Sequence, residues 1–466
     1  MGIGERLGHA VEWMDQGNRA PAVITGWIAF ATLVVFLNPL NPLAFFLLMI
    51  VTPALLFRLH TSNKFKIAAT LIFLFFSVSV AGARNLSYFD VAFLTCAFAA
   101  LALGLNIVVG FAGLLDLGYI AFYAIGAYLW AFFGSQQLWK LDYAPGSAPA
   151  FDGFPLSAQW FWIFLVVAPL VTGLAGLLLG TPVLRVRGDY LAIVTLGFGE
   201  VIRVLALNLD KPINLTNGPQ GITPIQRPPL PPDLITVPIQ TFLKWIAGPA
   251  ITQNQLNNLT YNLIFYTLAL GVMAFVILLT VRLDNSRLGR SWMAIREDET
   301  AAVAMGIPLV RTKLLAFAIG ASFAGAMGVL VASFRSFTSP DSFTLIWSIL
   351  ILSMVILGGI GSIPGSILGA AILTFLIFRI LPDIASQLSS LRQSSEFWGR
   401  MLPPQLDPAQ YQRLILGLVL VIMMIYRPAG LLPAKRRKME LEEKADDVFL
   451  GPPEPLSAAP AAERAR

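Results

Sequence analysis

The sequence is poor in charged residues, cysteine and histidine. Asp, Glu, Lys and Arg make up only 12% of its 466 residues, and its only cysteine and histidines are Cys96, His9 and His60. One cysteine cannot form an internal disulfide, and two imidazoles offer little for metal binding. Thiol, disulfide and His-based metal chemistry are therefore effectively excluded, and we expect neither a metal site nor another cofactor.

The sequence also lacks the common motifs of soluble enzymes. None of its lysines lies in a G-x-x-x-x-G-K-[ST] loop, and it contains no serine elbow and no HExxH motif. We therefore expect no ATP hydrolysis by a P-loop, and we assign no catalytic residue, although a membrane-embedded enzyme stays possible. The net charge of +6 fits the excess of Lys and Arg in cytoplasmic loops of membrane proteins better than nucleic-acid binding.

Apolar residues are abundant instead. They make up 56% of the chain, and the mean hydropathy is +0.73. A soluble fold cannot bury that much apolar surface, so membrane lipid is the expected solvent. Long runs with little charge predict an all-α, polytopic membrane protein with about 10 to 12 transmembrane helices. Twelve candidate spans cover about 22–37, 42–58, 67–83, 90–109, 118–134, 160–181, 190–207, 262–282, 313–334, 345–360, 365–381 and 412–427.

The Lys- and Arg-rich connections predict the orientation. With twelve spans, the basic segments 58–66, 185–189, 282–313 and 434–438 all fall on one side of the membrane. This side is the cytoplasm by the positive-inside rule, so both termini are expected there. The long, charge-poor loops at about 135–159 and 208–260 fall on the other side. The tail 434–466 is charged and then rich in Pro and Ala, which is typical of disorder.

A glycine-dense stretch, 103–128, includes Gly110, Gly113 and Asp116. Small residues allow close helix packing, which is the simpler explanation. The stretch from Gly110 to Gly118 could alternatively be an unwound hinge that faces a cavity, as in transporters with broken helices. A second glycine-rich stretch, 357–370, predicts a tight turn between two helices, with a re-entrant element as the alternative.

Polar residues inside predicted spans are candidates for a transport pathway. Thr195, Glu200 and Arg203 lie within the span at 190–207, where ionised groups are costly and normally face protein or water. Glu200 and Arg203 have the spacing of a helical ion pair, which could be purely structural. Downstream, Asn217 and Gly218 belong to a turn-forming stretch that could be a gate loop or an ordinary connection.

The charged stretch 291–308, SWMAIREDETAAVAMGIP, predicts a short cytoplasmic helix. Asp298 is a suitable N-cap, and Gly306 followed by Pro308 is typical of a helix end. Helical spacing predicts one face that could dock into another protein's groove, although a solvated loop is the alternative. The residues predicted on this face are Trp292, Ile295, Glu299, Ala302, Val303 and Gly306; the neighbouring candidates are Arg296, Glu297 and Asp298.

Several motifs, in this order, resemble one family of transporters. They are LRVRGDYLAIVTLGFGEVIR, TNGPQGI, LGRSWMAIREDETAAVAMGI, KLLAFAIGASFAGAMG, LGGIGSIPGSILGA and YRPAGLLP. Together they closely resemble LivM-type permease subunits of high-affinity branched-chain amino acid ABC transporters. The resemblance covers about 85–433, so 1–84, with about three spans, forms an N-terminal extension and 434–466 a cytoplasmic tail. The segment 300–306 resembles the E-A-A-x-x-x-G pattern of ABC importer permeases, with Thr300 in the Glu position.

The resemblance implies an inner-membrane ABC importer permease without catalytic activity of its own. The implied partners are a LivH-like second permease, two cytoplasmic ABC ATPases, a periplasmic binding protein and an amino-acid substrate. The loop at about 283–312 would carry the coupling helix, and the polar candidates named above would lie along the substrate pathway. The implied cargo is branched-chain or other neutral aliphatic amino acids. A urea or short-amide permease is the alternative within the class, and an ion-coupled secondary transporter is the alternative outside it.

Overall fold

The computed structural model describes residues 20–39, 42–59, 61–141, 153–183, 189–248, 251–394 and 411–433. The predicted disordered tail, 434–466, lies outside the described residues. The same is true of most of the basic segment 185–189 and of much of the loop predicted at about 135–159.

The described residues are mostly helical and include no β-strand, which confirms the all-α prediction. Their only β-type pairings are two isolated bridges, Ser135 with Ile225 and Ile222 with Thr338. We number the helices α1 to α15. They are α1 (Ala20–Leu37), α2 (Pro42–Arg58), α3 (Asn63–Leu71, continued to Arg84), α4 (Leu86–Asn106, continued by a π turn, Ile107–Phe111), α5 (Ile120–Phe133), α6 (Trp160–Val183), α7 (Asp189–Asn208), α8 (Asp233–Ala247), α9 (Gln253–Asp284), α10 (Arg287–Glu297), α11 (Glu299–Ala304), α12 (Leu309–Arg335), α13 (Leu345–Gly358), α14 (Ile363–Phe375, continued to Ser394) and α15 (Gln412–Tyr426).

Twelve of these helices correspond to the twelve predicted spans. Within the described residues, nine are long and apolar enough to cross a bilayer, and three shorter apolar helices, α2, α5 and α15, match the remaining predictions. Large apolar side chains cover the outer surface of the bundle, for example Leu178 on α6 and Ile425 on α15. Because water would disfavour such a surface, the protein is a multi-pass membrane protein.

The centre of the bundle is built from α4 and α12. Every residue of α4 from Val91 to Asn106 is buried, and α12 packs most extensively against α6 and α5. Small residues permit the close approach of α5 and α12: a β-carbon added to Gly126 would lie 2.4 Å from the carbonyl oxygen of Gly325. This contact agrees with the simpler explanation of the glycine-dense stretch, namely close helix packing.

The N-terminal helices pack directly on this centre. The end of α3, Val78–Arg84, contacts α4, and α2 contacts α14. Phe45 of α2 stacks on Tyr88 of α4 with ring centroids 4.2 Å apart. The described residues between 20 and 84 therefore share one continuous hydrophobic core with the rest of the bundle.

The connection 208–260, which we expected to be a loop, contains a helix. α8 begins directly after Pro232 and buries Leu243 and Ile246 against its neighbours, α9 and the end of α3. Its apolar residues recur at helical spacing, but the proline-rich start and Pro238 inside it obscured that pattern. The prediction of a plain loop was wrong because an apolar surface on the bundle stabilises the helix.

Candidate functional site

The charged stretch of the sequence folds into two short helices rather than one. α10 ends at Glu297 and α11 starts at Glu299, with Asp298 in an extended conformation between them. The Asp298 carboxylate accepts hydrogen bonds from the backbone amides of Thr300 at 2.7 Å and Ala301 at 3.0 Å. These bonds stabilise the ionised form and lower the pKa of Asp298 below its usual value. The prediction of Asp298 as an N-cap is confirmed.

The end of α11 also agrees with the sequence. The helix stops at Ala304, and Gly306 has a φ of +83°, a conformation that favours glycine. Pro308 then precedes the first turn of α12. We call residues 287–306 the coupling segment, after the role that the sequence suggested for it.

The docking face predicted for this segment is wrong for three of its residues. Trp292 is fully buried and donates a hydrogen bond of 2.7 Å from Nε1 to the carbonyl oxygen of Thr312, and Ile295 and Ala302 are buried as well. These three residues anchor the segment to its own chain. The prediction assumed one continuous helix, but the break at Asp298 turns α11 relative to α10, so no single helical face continues across it.

The exposed side of the coupling segment is small and apolar. Val303 and Met305 have exposed fractions of 53% and 83%, and Gly306 is exposed beside them. Glu297 and Asp298 are exposed at the junction of the two helices. Exposed apolar residues with acids at the edge are a suitable surface for another protein.

Glu299 has a partner within its own chain. Its carboxylate forms an ion pair with the Nζ atom of Lys313, a buried residue near the start of α12. The pair joins α11 to a membrane-spanning helix, so it adds to the anchoring by Trp292. Glu299 therefore holds the coupling segment in place within the described chain.

Arg296 connects the coupling segment to the interior of the bundle. Its Nη1 atom donates a hydrogen bond of 2.6 Å to the carbonyl oxygen of Gly110, in the π turn that ends α4. The Arg296 side chain also lies directly against Gly113, where an added β-carbon would be 2.8 Å from Cγ. A third element meets them there: the amide of Gly361, in the turn between α13 and α14, donates to the side-chain oxygen of Asn106 at 2.8 Å.

The stretch after Gly110 is unwound, as the hinge alternative predicted; the cavity predicted beside it stays a prediction. No helix is assigned between Phe111 and Ile120. The free amide of Leu117 donates to the Thr195 hydroxyl at 3.0 Å, and that of Gly118 donates to Asp116 at 2.8 Å. The loop contacts α7 closely, because a β-carbon added to Gly118 would lie 2.0 Å from the Thr195 carbonyl oxygen.

Asp116 and Thr195 therefore meet inside the chain, whereas Glu200 and Arg203 lie at its surface. The last two form the predicted ion pair, with Nε and Nη2 of Arg203 at 2.9 and 2.8 Å from Oε1 of Glu200. However, 46% of the Glu200 side chain is exposed. The pair therefore lies at the surface of the chain, because α7 leaves most of one face uncovered; Tyr190 and Ile193 are also exposed there.

Asn217 and Gly218 lie at the end of the bundle opposite the coupling segment. Both have positive φ, and the Asn217 side chain donates to the carbonyl oxygen of Gly221 at 2.8 Å. The strand-like bridge that follows pairs Ile222 with Thr338, just beyond the end of α12. These two residues therefore shape a loop that packs on the chain, and they do not meet the Asp116 region.

Sequence reasoning missed several residues of this site. Asn106 holds the broken helix against the α13–α14 turn through the amide of Gly361; the turn was predicted, but Asn106 and its contact with the turn were not. Ser348 was also missed, although its hydroxyl accepts a hydrogen bond of 3.1 Å from the backbone amide of Ile120. Polar residues at helix ends next to glycine-rich breaks were the available signal.

Comparison with known proteins supports one assignment. Residues 87–424 match the family described as "Branched-chain amino acid transport system / permease component". That match covers most of the chain. The protein belongs to this permease family.

Individual relatives agree with this family. The permease is 38% identical over 361 residues to the "High-affinity branched-chain amino acid transport system permease protein LivM" of Escherichia coli (strain K12), an alignment that covers 76% of this chain and 72% of the relative. It is 24% identical to the "Probable branched-chain amino acid transport permease protein LivM" of Methanocaldococcus jannaschii over 58% of this chain and 69% of the relative.

A second kind of permease is also similar. The LivH protein of Escherichia coli (strain K12) is 31% identical over 154 residues, which is 33% of this chain and 42% of LivH. No solved structure matches the permease. Both the coupling segment and the broken helix lie within the family match, while α1, α2 and α3 precede it.

Proposed function

We propose that this permease carries branched-chain or other neutral aliphatic amino acids across the bacterial inner membrane, as one permease subunit of an ATP-driven importer. The family description and the printed names of the LivM relatives support this cargo. The similarity to LivH supports a related second permease as its partner. A periplasmic binding protein would deliver the substrate, and both termini would be cytoplasmic.

The observation that carries the proposal is the hydrogen bond between Arg296 and Gly110. It joins an exposed segment at one end of the bundle directly to the break in a buried helix. An ion-coupled transporter would not need such a link, because its driving ion binds inside the bundle. A transporter driven by a separate motor protein does need one.

Two ATPase subunits on the cytoplasmic side would supply the motor. In this proposal Val303 and Met305 contact the ATPase, since they are the large exposed apolar residues at the end of α11. The buried residues Trp292, Ile295 and Ala302 anchor the segment that carries them to the bundle. The sequence itself has no P-loop, so ATP hydrolysis belongs to the partner subunits.

The proposed transport mechanism depends on the rigidity of the coupling segment. ATP binding closes the ATPase dimer, and the docked α11 moves with it. Because α10 is held by Trp292 and α11 by Glu299, the segment moves as one body rather than absorbing the displacement. Arg296 transmits the movement to Gly110 and the unwound loop, and the spans change from inward-facing to outward-facing.

The proposed substrate pathway lies where α7 meets the second permease. The exposed pair of Glu200 and Arg203 would be covered there, which would remove the cost of charged groups facing lipid. Thr195, on the inner side of the same helix, contacts the unwound loop that contains Asp116 and so links this face to the broken α4. Movement of the break in α4 would thus reach the pathway through the contact between the Leu117 amide and Thr195.

Reconstitution tests the proposal. The permease, its second permease, the ATPases and the binding protein are placed in proteoliposomes, and uptake of labelled leucine is measured. We expect uptake that needs ATP and survives collapse of the proton gradient. Uptake driven by an ion gradient without the ATPases would support a secondary transporter instead, and ATP-dependent uptake of urea but not leucine would support the urea or short-amide alternative.

A further inference from the structure

A small cavity lies at the end of the bundle opposite the coupling segment. Its volume is about 230 Å³, and its walls come from α4, α5, α12, α13 and α14. Pockets for drug-sized ligands usually hold about 300 Å³ or more, so this one suits a smaller molecule. None of the residues assigned above to the coupling segment or to the α7 pathway lines it.

Aromatic rings form the floor of the cavity. Phe98, Trp347 and Phe378 have nearly parallel planes, with ring centroids 5.7 to 6.0 Å apart. Tyr123 lies on another wall, against Phe343 at 5.5 Å. Such a surface binds apolar groups well, and a branched aliphatic side chain would fit against it.

The rim of the cavity is polar and positively charged. Arg335, the last residue of α12, lines it together with Thr338 and Ser342. A helix C-terminus favours a cation, which alone could explain an arginine at this position. Arg335 lies beside the Phe334 ring and interacts electrostatically with Asp90. Yet it is exposed and forms no salt bridge with any residue that the structure describes, so its donors are available to a carboxylate.

Charges of both signs surround the entrance. Asp341 is exposed next to Ser342 and interacts electrostatically with Arg203 of α7. The loop that contains Asn217 packs against the same edge, through the bridge between Ile222 and Thr338. The Asp90 carboxylate of α4 interacts electrostatically with Arg335, so a negative group lies near the positive one. A zwitterion therefore suits this entrance better than a simple anion.

We propose that this cavity binds the free amino acid within the subunit. Arg335 binds the α-carboxylate, the hydroxyls of Thr338 and Ser342 complete its hydrogen bonding, and the aromatic floor holds the aliphatic side chain. This inference rests on the proposed function and extends it, since urea and short amides have no carboxylate for Arg335 to bind.

Arg335→Gln is the central variant, because it removes the charge from an exposed side chain without disturbing the core. Arg335→Lys keeps the charge but loses the bidentate geometry. Arg392→Gln is the matched control: it lies near the end of α14, at the same end of the bundle and away from the cavity. Each variant is reconstituted with all partner subunits, and the KM for leucine uptake and binding of labelled leucine to the solubilised complex without the binding protein are measured.

We expect Arg335→Gln to raise the KM and the Kd for leucine about tenfold or more, Arg335→Lys to raise them less, and Arg392→Gln to leave them unchanged. Equal KM and Kd values in Arg335→Gln and the wild type would overturn the site while leaving the proposed function intact. If the wild-type complex takes up no leucine, the proposed function itself fails, and the Arg335 site fails with it.

Discussion

The guanidinium of Arg296 and the carbonyl of Gly110 are joined by a 2.6 Å hydrogen bond although the residues are 186 positions apart in the chain. Gly110 lies in a π turn at the end of α4, where the regular helical bonding pattern changes. A hydrogen bond from a charged donor to a backbone carbonyl in the bundle interior is stronger than one from a neutral donor. This bond is the most direct link between the coupling segment and the broken helix.

Removal of this bond should uncouple transport from ATP hydrolysis. We expect Arg296→Gln to assemble with its partners but to lose most leucine uptake, because a displaced coupling segment no longer moves Gly110. Uptake per ATP hydrolysed in proteoliposomes measures this. Arg290→Gln, an exposed arginine on the same helix, is the control and should keep wild-type coupling. Equal coupling in both variants would contradict the role of Arg296.

The exposed end of α11 should be required for ATPase binding. Met305→Asp places a charge on the most exposed apolar residue of the segment, so we expect weaker association with the ATPases and normal membrane insertion. Co-purification of the ATPases measures the effect, and Met305→Leu should retain them. Trp292→Glu, by contrast, should reduce the yield of folded protein, since Trp292 is fully buried. Full retention of the ATPases by Met305→Asp would show that they dock elsewhere.

The N-cap of α11 should depend on pH. The pKa of Asp298 is lowered in the folded protein, so its contribution is present above the unfolded pKa and is lost as the pH falls through the folded value. Hydrogen-exchange protection of the Thr300 and Ala301 amides should therefore fall in acid. In Asp298→Asn the same protection should not vary with pH, because an uncharged amide can still cap the helix.

An internal control exists for this measurement. The hydroxyl of Ser286 caps α10 through the amide of Gly289 at 3.1 Å and does not titrate in acid. Protection of the Gly289 amide should stay constant while that of Ala301 falls. A parallel loss at both helices would indicate general unfolding rather than protonation of Asp298.

Close packing of α5 and α12 should tolerate no side chain at Gly126. An added methyl group would meet the backbone of Gly325, so we expect Gly126→Ala to destabilise the folded permease by about 1–3 kcal/mol. Thermal unfolding in detergent measures it. Gly271→Ala is the matched control, since Gly271 lies inside α9 with no atom within 4 Å of the added carbon. That change should be neutral or stabilising by up to about 1 kcal/mol. Similar stability losses in both variants would mean that packing is not the cause.

The ion pair on α7 should matter for transport more than for stability. Glu200 is nearly half exposed, so Glu200→Gln leaves the packing within the chain unchanged and should have little effect on thermal unfolding of the permease. If the second permease covers this face, however, Arg203 is left unpaired at the interface, and leucine uptake should fall severalfold. Unchanged uptake in Glu200→Gln would return the pair to a purely structural role.

Much of this protein follows from local patterns in its sequence. Apolar runs of sufficient length must become helices in a bilayer, because lipid offers no hydrogen-bond partners for the backbone; the positions of the spans could therefore be predicted. The cap at Asp298 and the end of α11 near Gly306 were predictable for a similar reason, since both depend on residues a few positions apart.

Only the tertiary structure decided which residues meet. Trp292 shares a helical face with exposed positions in an ideal helix, but the extended Asp298 breaks that helix, and burial depends on neighbours such as Thr312. The partnership of Arg296 with Gly110, and the cavity beneath Arg335, join stretches far apart in the chain. Sequence periodicity describes each helix by itself, whereas contacts between helices depend on how side chains of different helices fit together in three dimensions.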